Sequence, residues 1–430
     1  MPYKWYAKNL AGIAVEGVID ANNFFQKDEG LMTGLVLEGG GAKGSYHIGA
    51  YKAVQESGIE IGGITGTSIG AINGAMIVQD AWEEAYEIWH NIDPAQLFDI
   101  DPEIIKELKS FHFTQDNIKY LLGRVKQLFH NRGIDIRKIR KVLNENIDEK
   151  KVRNADKDFG IVTINLSSKK PMELFIEDIP RGKLIDYLMA SSYLPVFKKE
   201  KMDGSIFLDG GFYDNLPVNM IVKKGYKDII AVRTFGPGRI RKVDEDGLNI
   251  IYIAPGEDLG SILDFDKERM RYNLKLGYYD TLKELKKLSG KRYYFETAHI
   301  SDLEKYTIDF FLGLDDKVIG RICQLMNIQD ANGYRVIFEI FLPFLARLFN
   351  LDSNYYYQDI LLSLLEYAAS KYGIERFAIY QLDRFVDKIR EAAQRDEDKP
   401  VKIPGVFTIS SILAKTVKEE LLDYIIKVIF

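Results

Sequence analysis

Cysteine is nearly missing: Cys323 stands alone in 430 residues, which excludes an intramolecular disulfide, and no Cys/His cluster has zinc-ligand spacing. A reducing compartment, the cytoplasm, is the expected setting. Long apolar runs are missing as well. The greasiest stretch, Val336 to Phe349, is interrupted by Glu339, Pro343 and Arg347 and falls short of the roughly 18 apolar residues a membrane-spanning helix requires. Residues 1–30 carry Lys4, Lys8, Glu16, Asp20 and Lys27, so they lack the unbroken core of a secretory signal. An excess of positive charge is also lacking, with 58 Lys+Arg against 63 Asp+Glu. That balance supplies no broad field for a polyanion, and nucleic acid is not an expected partner. Hydrophobic residues at 46% and charged residues at 28% exclude a disordered or collagen-like chain.

What is present is glycine in clusters, placed where short β-branched runs end and helical patterns begin. Leu35 to Leu37 runs into Gly39-Gly40-Gly41-Ala42-Lys43-Gly44, followed by helical spacing from Ser45 to Ser57 with Gly58 as its stop. Ile59 to Thr65 repeats the theme, entering Gly66-Thr67-Ser68-Ile69-Gly70 and then a small-residue helix, Ala71 to Gln79. Farther on, Phe159 to Leu166, Met172 to Ile176, Ile206 to Leu208 and Asp228 to Val232 read as strands, with helical patterns at Lys183 to Ser192 and Asn215 to Lys224. Such alternation predicts an α/β fold with a mostly parallel sheet covered by helices on both faces. Trp82 to Lys151 reads as an inserted helical layer, and residues 300–430 as a helical C-terminal domain with amphipathic patterns such as Tyr355 to Tyr372. Phe338 to Phe349 and Leu421 to Phe430 are expected in its core rather than on a bilayer.

The Gly66 to Gly70 segment is a G-x-S-x-G sequence at a strand-to-helix junction. That is the arrangement of a nucleophile elbow, in which the flanking positions must be nearly free of side chain for the turn to close. Ser68 is then the candidate nucleophile, set against an ordinary turn with Ser68 as a helix cap. The Gly39 to Gly44 segment also fits G-x-G-x-x-G. A dinucleotide fingerprint would pair it with an acid such as Glu60, yet Glu60 precedes its strand instead of ending it. A nucleotide-hydrolase phosphate loop fails because Ser45, not Lys, follows Gly44. The remaining use is an oxyanion hole, in which glycine amides face the oxygen of a tetrahedral acyl intermediate. Only five histidines exist, His47, His90, His112, His130 and His299. His299 follows Asp209 and could complete a Ser-Asp-His order, but an α/β-hydrolase needs several strands before its nucleophile. Asp209, at a strand end before Gly210-Gly211, is the better base, provided burial raises its basicity. Lys43 could add charge at the loop or hold its turn. The run Arg137 to Lys141 reads as a solvated helix face, with anionic head groups as the rival partner.

Taken in order, these boxes resemble the patatin-like phospholipase family. Gly39 to Gly44 matches its Gly-Gly-Gly-x-Lys/Arg-Gly, Gly66 to Gly70 its Gly-x-Ser-x-Gly, and Asp209 to Gly211 its Asp-Gly-Gly/Ala. Ala190-Ser191-Ser192-Tyr193-Leu194-Pro195 and Asp214-Asn215-Leu216-Pro217 add to the likeness. The resemblance implies a three-layer α/β/α lipid acyl hydrolase over residues 31–290, with its core at 31–235 and a helical layer near 82–151. Residues 1–30 form an N-terminal extension and residues 300–430 a separate domain. It further implies a Ser68–Asp209 dyad acting on fatty acyl esters of phospholipids and related lipids, with peripheral membrane contact and neither cofactor nor metal.

Overall fold

The computed structural model describes residues 32–97, 123, 134–198, 200–297, 300, 302–328, 333–395 and 415–430. The N-terminal extension, much of the expected helical layer, and His112, His130 and His299 lie outside the described residues. The chain divides into two compact units, one ending at Lys286 and the other running from Lys287 to Phe430.

In the first unit the β-branched runs form one seven-stranded sheet. Its strands are β1 (Thr33–Leu37), β2 (Ile61–Thr67), β3 (Asp158–Asn165), β4 (Lys170–Phe175), β5 (Phe207–Asp209), β6 (Asp228–Val232) and β7 (Asn249–Ile253). The order is β4-β3-β2-β1-β6-β7, with β5 attached to β3. Strands β3, β2, β1, β6 and β7 are mutually parallel, while β4 and β5 run antiparallel to β3. The mostly parallel sheet expected from the alternation is therefore present. The antiparallel turns of β4 and β5, and the edge strand β7, are additions that no periodicity indicated.

Helices cover both faces. On one side, Ile64 of β2 and Phe159 of β3 pack on α2 (Ile69–Val78), where Gly74 brings the helix close to both. On the other, Val36, Ile229 and Ala231 bury against Val218 and Ile221 of α3 (Val218–Lys223). Because each strand of the parallel core is buried from two sides, the runs are continuously apolar instead of alternating. The sequence of crossovers reverses at β1, whose neighbours β2 and β6 are reached in opposite directions. The carboxyl ends of β1, β2 and β6 thus flank a switch-point crevice, the usual location of a ligand site in an open α/β sheet.

The key to the site is the register on β3. Its residues 158–162 pair with β2, ending with Val162 opposite Thr67. The next residue, Thr163, lies opposite Asp209 of β5. Strands β2 and β5 therefore lie along the same edge of β3 and meet end to end, which brings residue 68 beside residue 209.

The second unit is largely helical, with one two-stranded parallel sheet, β8 (Tyr294–Glu296) on β9 (Ile379–Gln381). The apolar stretch beginning at Val336 lies within its core: Val336, Ile337, Phe341, Leu342, Leu345, Ala346 and Leu348 are buried together with Leu421, Leu422, Ile425 and Ile426. Among the described residues no helix is long and apolar enough to cross a membrane.

Candidate active site

Ser68 sits in the turn between β2 and α2, with φ 56° and ψ −124°. A residue with a side chain is strained at positive φ and persists there only when its surroundings impose it. The imposition is visible. The Ser68 N–H donates to Ser191 Oγ at 2.9 Å, and Ser191 in turn donates to the Val162 carbonyl at 2.7 Å. The flanking glycines are required by close approach: a Cβ on Gly66 would lie 2.4 Å from the Gly70 carbonyl carbon, and one on Gly70 would lie 2.2 Å from the Leu37 oxygen. The turn can close only if both positions are bare.

Asp209 is almost wholly buried, at 4% exposure, and Ser68 is 8% exposed. The Asp209 carboxylate accepts hydrogen bonds from the Ser68 hydroxyl and from the Gly211 N–H, the latter at 2.7 Å. Burial pushes its pKa up to about 6, and these two hydrogen bonds oppose the rise without cancelling it. An aspartate raised into this range is a competent base near neutrality, which an unperturbed one near 3.9 is not. The backbone of Asp209 is held by its own N–H donating to the Tyr193 carbonyl at 2.9 Å.

The glycine loop ends β1 and winds into a short 3-10 turn, Gly41–Gly44, before helix α1 (Ser45–Glu56). Of the six residues expected to form an oxyanion hole, three have amides committed elsewhere. Gly39 N–H donates to the Asn215 carbonyl, Ala42 N–H to Ile262 and Lys43 N–H to Gly40, at 3.0, 2.9 and 3.2 Å. Gly40 and Gly41 have no amide partner among the described residues and line the cavity at Ser68. The donor set narrows to these two. Gly41 takes φ 58°, and a Cβ there would lie 2.2 Å from the Ile262 oxygen. Gly44 is also a packing residue, because its position meets Ile69 and Asn73.

Lys43 is buried and directs its Nζ away from the pocket, to the carbonyls of Thr234 and Phe235 at 3.4 and 3.3 Å. Desolvation pulls its pKa down, against the attraction of Asp258 and Glu38. Its role is to hold the turn. Glu38 does the same from within β1's exit: wholly buried, it accepts from Arg233 Nε at 2.9 Å, Thr234 N–H at 2.7 Å and Phe235 N–H at 3.1 Å. Asn215 adds a bond from Nδ2 to the Gly39 carbonyl at 3.2 Å.

His47 lies fully buried on α1 beside Asn73, 3.4 Å from Nδ1 to Nδ2. Desolvation pulls its pKa down to about 3, so it is a neutral packing residue. His299 lies outside the described residues. Glu60 stands at the start of β2, the opposite end of the sheet from the glycine loop, so it cannot serve as a ribose-binding acid for that loop.

Two cavities meet at Ser68. One, of about 140 Å³, is walled by apolar side chains including Ile72, Met76, Ala85, Trp89, Leu143 and Phe265. The other, of about 360 Å³, holds Asp209, Gly40, Gly211, Asn215 and Arg239. Helix α4 (Arg137–Asn146) turns Ile139, Val142 and Leu143 into the apolar cavity. Its basic residues are occupied by neighbours: Arg137 pairs with Asp135 at 2.8 Å, Arg140 with Asp186 at 2.5 Å and Lys141 with Glu145 at 3.7 Å. Ser191, Glu38 and Ile262 carry positioning roles that sequence reasoning did not assign. Of these, only Ser191 had a signal, inside the Ala190 to Pro195 segment.

Residues 35–222 match the family model described as patatin-like phospholipase. Lysophospholipase nte1 of Aspergillus terreus is 31% identical over 209 residues, covering 47% of this chain and 12% of that protein. Neuropathy target esterase sws of Drosophila melanogaster is 27% identical over 207 residues, covering 47% and 13%. The chain thus spans about an eighth of the length of these curated relatives. Among solved structures, VipD from Legionella pneumophila aligns over 92% of this chain and 86% of its own, at 15% identity and a TM-score of 0.37, too distant to carry an argument.

Proposed function

We propose, taking residues 35–222 as a patatin-like phospholipase domain, that this chain hydrolyses fatty acyl esters of lipids, of the phospholipase A or lysophospholipase type. Ser68 and Asp209 act as a dyad. Ser68 Oγ attacks the ester carbonyl carbon while its proton passes to Asp209, and the resulting oxyanion rests on the Gly40 and Gly41 amides. Collapse breaks the ester C–O bond, and Asp209 returns the proton to the departing alcohol. Asp209 then takes a proton from water, which attacks the acyl-serine and frees the fatty acid. The apolar cavity is suited to the acyl chain, and the more polar one to the rest of the lipid.

The single observation behind this reading is the hydrogen bond from the Ser68 hydroxyl to a buried, elevated Asp209 carboxylate at a turn that strains the serine. A serine-reactive fluorophosphonate probe tests it. Labelling at Ser68, abolished in Ser68→Ala and reduced about 10²- to 10⁴-fold in rate in Asp209→Asn, is the expected result. A probe that modifies the chain equally fast in either variant overturns the dyad.

A further inference from the structure

Every cation near the mouth of the active site is committed to a neighbour except one. Lys43 donates to backbone carbonyls. Arg233 is paired with Glu38 at 2.9 Å and stacked on Phe235. Arg241 is paired with Glu173 at 2.7 Å and stacked on Tyr213. Arg239 lies between them, lines the larger cavity, and its guanidinium has no hydrogen-bond or ion-pair partner among the described residues.

Its backbone, in contrast, is fixed on both sides. The Arg239 N–H donates to the Gly211 carbonyl at 2.8 Å, and its carbonyl accepts from the Asn215 N–H at 2.6 Å. Gly211 is also the residue whose own N–H caps Asp209. The Cα of Arg239 is therefore tied directly to the turn that carries the base, while its long side chain is left to reach into the cavity that Ser68 and Asp209 share. The exposed apolar residues Phe212 and Ile240 flank it on the same wall. Such a site is built for an amphipathic ligand with an anionic group a fixed distance from the reacting ester, and a guanidinium is suited to bidentate binding of phosphate oxygens.

We propose that Arg239 is the anion-recognition residue of this pocket: it binds the phosphodiester of a phospholipid or lysophospholipid head group while the scissile ester lies at Ser68. This inference rests on the hydrolase reading and narrows its substrate class, favouring phosphate-bearing esters over neutral glycerides. Arg239 is a specificity residue and takes no part in the bond changes.

The test compares lysophosphatidylcholine with monoacylglycerol of the same acyl chain. In Arg239→Gln the ratio of their kcat/KM values is expected to fall about 10- to 100-fold, the scale of losing a charge-assisted hydrogen-bonded pair. Arg239→Lys, which keeps the charge without the fork, is expected to recover part of that ratio. An unchanged ratio overturns the proposal. A second arm does not depend on turnover: binding of a hexadecyl ether analogue of lysophosphatidylcholine and of hexadecylglycerol to Ser68→Ala, with and without Arg239→Gln. Selective weakening of the phosphate-bearing ligand supports the assignment even if the chain hydrolyses neither ester, an outcome that would sink the hydrolase reading alone. Equal weakening of both ligands, or of neither, overturns it.

Discussion

Asp209→Asn is expected to make the protein more stable while removing its activity, and the gain has a characteristic pH signature. The carboxyl binds its proton at about 6 in the folded chain against an ordinary 3.8, because burial penalises the charged form. Each pH unit of that difference corresponds to about 1.36 kcal/mol, so burying the ionised group costs roughly 3 kcal/mol. The sign follows from which state holds the proton. Between pH 3.8 and 6 the folded chain is protonated at Asp209 and the unfolded chain is not, so wild-type stability from this group falls as pH rises through the interval. Below it the contribution is intact, and above it the loss is complete. Asp214 is raised to about 6 and His47 lowered to about 3, but both are common to the two proteins and cancel in the difference. Asparagine can still accept from Gly211 N–H through Oδ1 and meet Ser68 through Nδ2. The advantage of Asp209→Asn should therefore grow from near zero at pH 4 to about 2–3 kcal/mol by pH 7. At roughly 2–4 °C per kcal/mol for a unit of this size, calorimetry should resolve several degrees in the transition of the unit that ends at Lys286. A difference that is absent, or constant across pH 4–7, would refute the claim that burial makes Asp209 a base.

Wild-type kcat/KM on a soluble ester should rise about tenfold per pH unit below 6 and level off above it, as expected for a base that must be ionised in the free enzyme; a pH–rate profile flat from 4.5 to 7 contradicts this. Because Ser68 sits at positive φ, Ser68→Gly should be more stable than Ser68→Ala by about 1–2 kcal/mol, the two sharing the loss of the hydroxyl and differing in backbone strain; urea titration of both variants provides the comparison. Ala85→Phe projects bulk into the apolar cavity and should lower the ratio of long-chain to short-chain ester turnover at least several-fold. An unaltered chain-length profile would remove that cavity from acyl binding.

Most of the site could be read from the sequence because its chemistry is confined to short local boxes. The elbow between β2 and α2 appeared as two glycines around Ser68, and their steric necessity is a matter of five consecutive residues. The Asp-Gly-Gly turn was equally compact, although Asp209 closes β5 where the reading had ended the strand at Leu208. What was illegible is non-local. Glu38 reads as one more acid after a strand, and only the fold brings Arg233, Thr234 and Phe235 around it. The oxyanion donors were over-counted because the carbonyls that occupy Gly39 and Ala42 belong to Asn215 and Ile262, 176 and 220 residues away in the chain. Helix α3 begins at Val218 and not at Asn215 because Asn215 and Pro217 are used in fastening the glycine loop and in bonding Thr65 Oγ1. Arg239 gave no signal at all, since a lone arginine in a Gly-Pro-Gly-Arg loop is unremarkable until its main chain is found clamped to the Asp-Gly-Gly turn.

Since β2 and β5 are both laid against the single strand β3, with Thr67 and Asp209 opposite consecutive residues, that strand works as a ruler for the chemistry. The number of amino acids separating nucleophile from base is immaterial to their spacing, and the intervening chain is free to lengthen, shrink or be replaced wholesale. A single deletion within β3 has no such freedom: it would slide one half of the dyad past the other by about 3.3 Å and turn a hydrogen bond into a gap.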